Sequence, residues 1–117
     1  MINKIFDQLV SDGFSIIENC IDNKSINLIQ EDINNCLIEY LTISNQKPFK
    51  DFKNNFYDLK KNISQHEIQV LLSKRLVDNG LIDTLIFNNK VTNVLMDLLG
   101  PDLEYLSDFE MAINDKN

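Results

Sequence analysis

Residues 100–115 read GPDLEYLSDFEMAIND, and the fold class turns on whether they form a strand. From Leu103 onward the residues alternate. Leu103, Tyr105, Ser107, Phe109, Met111 and Ile113 fall on one side of an extended chain; Glu104, Leu106, Asp108, Glu110 and Ala112 fall on the other. One side is mostly apolar and the other mostly polar, with Leu106 as the exception, so the pattern predicts a strand over residues 103–113. A strand cannot satisfy its backbone alone. Yet nearly everything before it reads as helix. The expectation is a first strand of a sheet whose remaining strands lie outside these 117 residues, with an exposed edge, so that the isolated chain either self-associates or has a mobile C-terminus.

Upstream, Val91, Val94, Leu95, Leu98 and Leu99 form a helical stripe that Asn88 or Asn89 can cap. Gly100 ends it in an expected left-handed cap, and Pro101 forbids continuation. At the other end Ile2, Ile5, Phe6, Leu9 and Val10 mark one face of a short helix stopped by Gly13. Phe14–Glu18, FSIIE, is aromatic and β-branched and predicts a short strand. Asp22 caps a helix running to about residue 43, lined by Ile26, Ile29, Ile33, Leu37, Tyr40 and Leu41. Ser44–Pro48 is a polar break. Phe49, Phe52, Phe56, Leu59 and Ile63 recur at helical spacing, Ile68–Val77 is apolar and helical, and Leu81–Ile86 make a short turn or helix after Gly80.

The fold class expected is therefore α+β: a single domain or fragment over 1–117. It comprises a helical layer over 1–100 carrying a short strand at 14–18, and over 101–117 the first strand of a missing sheet. A 44% hydrophobic content is ample for one core. No apolar run approaches the roughly 18 residues that span a membrane, and the N-terminus has no secretory pattern. A net charge of −7 opposes nonspecific binding to nucleic acid. The charge is uneven: residues 47–75 hold seven Lys or Arg against three Asp or Glu. Cys20 and Cys36 are too few for a disulfide framework and lack zinc spacing, so both read as thiols in a reducing, cytoplasmic compartment.

Candidate chemistry is sparse. His66 is the only histidine, so neither a two-histidine, one-carboxylate iron site nor a three-histidine zinc site can be assembled. His66 therefore reads as a surface or interface residue, and the chain alone is expected to bind no iron. Glu104, Asp108 and Glu110 share the polar side of the terminal strand, where carboxylates can hold a cation or act as acid and base; a solvated face is the simpler reading. KPFKDFKNNFYDLKK (47–61) interleaves Lys with aromatics. Stacked bases or an anionic small molecule would use that pattern, whereas core aromatics beneath wet lysines explain it more simply. No catalytic, cofactor-binding or metal residue is assigned.

Three stretches, taken in order, resemble the N-terminal part of the phytanoyl-CoA dioxygenase family. They are FDQLVSDGFSIIENCIDNKSINLIQEDI (6–33), VTNVLMDLLGPDLEYL (91–106) and SDFEMAIND (107–115). The resemblance implies the front of an Fe(II)/2-oxoglutarate oxygenase that hydroxylates a small organic substrate, consuming 2-oxoglutarate and O₂. The helical layer would buttress one face of a double-stranded β-helix entered at residues 103–113. The family's His-x-Asp pair, distant His and 2-oxoglutarate-binding Arg match no position here. Fe(II) and 2-oxoglutarate would belong to the parent protein. The partner of this chain would be the remainder of that polypeptide, or a second copy through residues 103–113. The rival reading is a complete small acidic helical binding protein without catalytic activity.

Overall fold

In a computed structural model, which describes residues 2–104, 109 and 111–114, the ordered elements are helices. They are α1 (Ile2–Asp12), α2 (Asn23–Ile43), α3 (Phe52–Lys60), α4 (Gln65–Asp78), α5 (Leu81–Ile86) and α6 (Asn89–Leu99). The starts of four follow from side-chain caps. Asp22 accepts from the Ser25 N–H at 2.7 Å, and Asp51 from the Asn54 N–H at 3.2 Å. Ser64 accepts from the Glu67 N–H at 3.1 Å, and Asn88 from the Val91 N–H at 3.0 Å. Each bond satisfies a donor that the first helical turn leaves open. Asn88, not Asn89, is thus the cap of α6.

The core lies where α2, α3 and α4 meet. Cys36, Leu37 and Leu41 from α2 pack with Phe56 and Leu59 from α3 and with Ile68 and Leu72 from α4. Ile33, Phe52, Tyr57 and Ile63 close its margin. The buried face of α2 centres on Leu37 and Leu41, while the outer residues of the expected stripe, Ile26 and Tyr40, remain exposed. α5 packs against α4 and α2, whereas α1 packs against α6. Asn88 and Lys90 tie α6 to the chain after α1 by donating to the Cys20 and Asn19 carbonyls at 3.0 and 2.8 Å.

One fully buried polar side chain sits at the centre of the α2–α3 connection. Asn55 accepts from the Phe49 N–H at 2.7 Å and donates to the Phe49 carbonyl at 3.0 Å and to Asn34 Oδ1 at 2.8 Å. Asn34 in turn donates to the Lys50 carbonyl at 2.7 Å. The two amides therefore hold the connecting loop onto α2 and α3 while leaving no buried polar atom of their own unmatched. The expected helical run from Phe49 is shortened for this reason: Phe49 gives its backbone to Asn55 and the helix starts three residues later.

The α+β expectation is overturned, because the described residues contain no strand. Residues 14–18 are irregular, with Phe14 and Ile16 exposed and Ser15 Oγ donating to Gln8 Oε1 at 2.6 Å. Residues 103–104, 109 and 111–114 are likewise not in a sheet; Tyr105 to Asp108 and Glu110 lie outside the described residues. The physical reason is visible at Met111 and Ile113. Their N–H groups are bonded by side chains of α4 rather than by a neighbouring strand. Those two amides are thereby unavailable to residues 14–18.

Gly100 does take positive φ after α6, at φ 97° and ψ 171°, and its N–H donates to the Met96 carbonyl at 2.8 Å. This is the extended, glycine-only region rather than the left-handed helical cap that the sequence predicts. A Cβ there would meet nothing within 4 Å, so any penalty is one of backbone conformation. Gly100→Val is expected to cost about 1–3 kcal/mol. Asn55→Leu, which strands the Phe49 amide and carbonyl, is expected to cost about 2–4 kcal/mol. Chemical denaturation checks both; Asn55→Leu within a few tenths of wild type would remove the buried amide from its central place.

Candidate functional site

The outer face of α4 carries the most organised polar surface among the described residues. Gln65, Gln69 and Ser73 stand four residues apart and so line up along one row. Gln65 Nε2 donates to the Ile113 carbonyl at 2.8 Å. The Ile113 N–H donates to Gln69 Oε1 at 2.9 Å, and the Met111 N–H donates to Ser73 Oγ at 2.9 Å. Two bonds within the helix set these groups in position. Gln65 Nε2 also donates to Gln69 Oε1 at 3.3 Å, fixing which end of that amide accepts. Ser73 Oγ spends its proton on the Gln69 backbone carbonyl at 2.7 Å, leaving a lone pair outward.

Beside this row runs an open groove of about 330 Å³ between α4 and the terminal segment. Val70 and Val77, about half exposed, form its floor with Phe109 and Met111. His66, Lys74 and Asp78 stand at its sides. His66 is thus an exposed groove residue, in keeping with a surface or interface role. Glu104 is exposed, while Asp108 and Glu110, the other carboxylates singled out in the sequence, lie outside the described residues.

The basic island of residues 47–75 is dispersed. Arg75 turns back to α2: its Nε donates to Asp32 at 3.0 Å and its terminal nitrogens donate to Glu39 at 2.6 and 3.2 Å. Asn79 reinforces Asp32 with bonds of 3.0 Å to both oxygens. Lys61 pairs with Asp58 at 3.2 Å, and Lys60 Nζ lies 5.4 Å above the Phe56 ring. Phe56 is core and stacks on Phe52 at 5.9 Å, while Phe49 is half exposed. Of the aromatics, Phe56 is thus core, Phe52 and Tyr57 lie partly buried at its margin, and Phe49 is at the surface.

Cys36 is buried in the core and Cys20 is partly buried; both are free thiols. Burial pushes the Cys36 thiol up, the opposite of what a nucleophile or metal ligand needs. Among the described residues no group of three or more His, Cys, Asp or Glu is close enough to hold a metal. The donor set of a non-haem iron centre does not fit this chain, since His66 has no second histidine.

A second surface lies on the α1–α6 pair. Ile5 and Val94 are buried there, but Phe6 and Val10 on α1, and Leu95 and Leu99 on α6, stay exposed at four-residue spacing. Val10 and Leu99 are 72% and 73% exposed, values unusual for the apolar stripe of a closed helix pair.

No family model matches the chain, and neither does any curated protein or solved structure. The functional candidates that sequence reading missed are Gln65, Gln69 and Ser73. Their i, i+4, i+8 spacing is present in the sequence, but polar residues on an exposed helix face look like any solvated face until a segment is seen lying on them.

The carboxylates predict the acid behaviour of the fold. The Arg75 hydrogen bonds hold Glu39 below its ordinary 4.5, and the Asn54 and Ser25 bonds hold Asp51 and Asp22 below 3.8. Depressed folded values stabilise above the unfolded ones and lose that contribution as pH falls through the folded ones. The melting temperature is therefore expected to be flat across these three groups above pH 4.5 and to decline below it. In Glu39→Gln and Asp51→Asn chains the acid decline should be shallower; an unaltered decline in both would contradict the assignment.

Proposed function

We propose that this chain is a non-catalytic helical binding module that docks by exposed apolar helix faces onto a larger folded body. One observation carries the proposal. Among the described residues eighteen large hydrophobic side chains are exposed, against eleven buried hydrophobic ones. Scattered apolar surface is ordinary, but stripes at helical spacing on the α1–α6 pair are arranged as an interface face. Among the described residues no helix is long and apolar enough to cross a membrane; a net charge of −7 disfavours nucleic acid and anionic membrane surfaces alike, so the docked body is a protein. Two free thiols accord with a cytoplasmic setting.

A second reading names that body. In it the chain is the front helical layer of a phytanoyl-CoA dioxygenase-like Fe(II)/2-oxoglutarate oxygenase, and the α1–α6 stripes pack against the catalytic part. Its support is the order of quoted motifs, with helices falling where that order requires: α1 before DGF, α2 after Asp22 and α6 ending at LLGPD. Iron and 2-oxoglutarate would be held by the docked part, which would supply the hydroxylation chemistry on a small organic substrate. Against it stands the terminal segment, whose alternate amides are already bonded by α4.

The protein purified from its source, weighed intact and assayed for iron, separates the two readings. A 13.6 kDa polypeptide without stoichiometric metal supports the independent module. A much heavier chain with one iron and 2-oxoglutarate-dependent O₂ uptake supports the oxygenase layer. In either case Val10→Asp/Leu99→Asp is expected to abolish docking while changing the stability of the 117-residue chain by no more than about 0.5 kcal/mol. Calorimetry of the same chain with Fe(II) and 2-oxoglutarate is expected to give no stoichiometric binding. A tight complex lost in His66→Ala would overturn the non-catalytic assignment.

A further inference from the structure

The row on α4 has the attributes of a receptor site rather than of ordinary helix packing. Every bond it makes to residues 111–113 runs from an α4 side chain to a backbone atom. Such bonds do not depend on the occupant's side chains. They depend on an extended chain that presents N–H and C=O groups on one edge at two-residue intervals. The dimensions match: four helical residues rise ~6.0 Å, and two extended residues ~6.6 Å. Ser73 meets residue 111 and Gln69 meets residue 113, so the two run antiparallel. The same register sets Phe109 beside Val77, and both line the adjoining groove.

Part of the row's organisation is internal to α4: Gln65 donates to Gln69 Oε1 and Ser73 donates to the Gln69 carbonyl, and neither bond uses an atom of the terminal segment. Met111 and Ile113 pack against the margin of the core yet remain only partly buried, while Ala112 and Asn114 between and beyond them are exposed. Specificity is therefore simple: an extended peptide with large apolar residues two apart and tolerant positions between them.

We propose that the outer face of α4 is a peptide-binding site for an extended apolar-x-apolar segment of a partner protein, and that Met111 and Ile113 of the chain's own terminal segment occupy it in cis and can be displaced. This surface is separate from the α1–α6 stripes. Recognition is the helical counterpart of strand addition at a sheet edge: main-chain hydrogen bonds hold the segment, and alternate side chains select it.

The probe is a fluorescently labelled hexapeptide of sequence FEMAIN, that of residues 109–114. It is titrated into the full chain and into the full chain carrying Met111→Asp and Ile113→Asp, which vacates the site. The vacated chain is expected to bind at least about tenfold tighter than wild type, and adding Gln69→Ala is expected to cost about tenfold, the equivalent of one hydrogen bond. A peptide with its two apolar residues made adjacent should not compete. Equal affinity for both chains, no binding to a vacated chain of native helicity, or indifference to Gln69→Ala overturns the proposal. Should the vacated chain not fold, hydrogen exchange on the wild-type chain decides. Excess peptide is expected to accelerate exchange of the chain's own Ile113 amide while leaving core amides of α2 unchanged. An Ile113 amide insensitive to peptide overturns the proposal equally.

Discussion

The closure of the core rests on the Asn55 amide. α2 is long and α3 is short, and the turn between them must bring Phe56 and Leu59 back onto Leu37 and Leu41. That turn carries backbone groups towards the interior, where an unmatched one is costly. Asn55 answers both backbone groups of Phe49 and reaches Asn34 on α2, which answers Lys50. Once α3 is set this way, Ser64 starts α4 at an angle that delivers Ile68 and Leu72 to the same centre. Arg75 then ties the far end of α4 to Asp32 and Glu39. The core is hydrophobic in substance, but its geometry is set by polar bonds at its margins.

The helices were legible in the sequence because they use strong local signals: apolar residues at 3.6-residue spacing, Asp22 before α2, Gly and Pro after α6. Even α5 was visible from Leu81, Ile82, Leu85 and Ile86. The caps Asp51 and Ser64 were equally local, though masked by a longer apolar period running through Phe49 and Ile63. The strands failed for the opposite reason. Alternation at 103–113 describes a chain with one apolar edge and one polar edge, and it carries no information on what satisfies the backbone. Whether a neighbouring strand or a row of glutamine and serine side chains does so is a tertiary fact. Residues 14–18 show the same limit, since FSIIE has strand propensity but pairs with no strand among the described residues.

The candidate surfaces divide along the same line. The apolar stripes of α1 and α6 were readable, but only the three-dimensional arrangement tells that Ile5 and Val94 are consumed by the pair while Val10 and Leu99 are left outside. The basic island read as an anion site loses its arginine to α2, Lys61 to Asp58 and Lys60 to the face of the Phe56 ring. Charge counted along a chain overstates charge available at a surface whenever a partner from a distant helix can reach it.

The row on α4 also sets its own length limit. A helix advances ~6.0 Å per four residues and an extended chain ~6.6 Å per two, so the two scales drift apart by ~0.6 Å at each step. Over the single step from Ser73 to Gln69 both bonds keep an ordinary length of 2.9 Å. After three or four steps it reaches ~2 Å, beyond what hydrogen bonds of ordinary length and direction accommodate. A helix face can therefore act as a vernier for an extended backbone over only a short stretch. It suits brief segments in long flexible chains, and no run of strand, however well patterned, could be held along it from end to end.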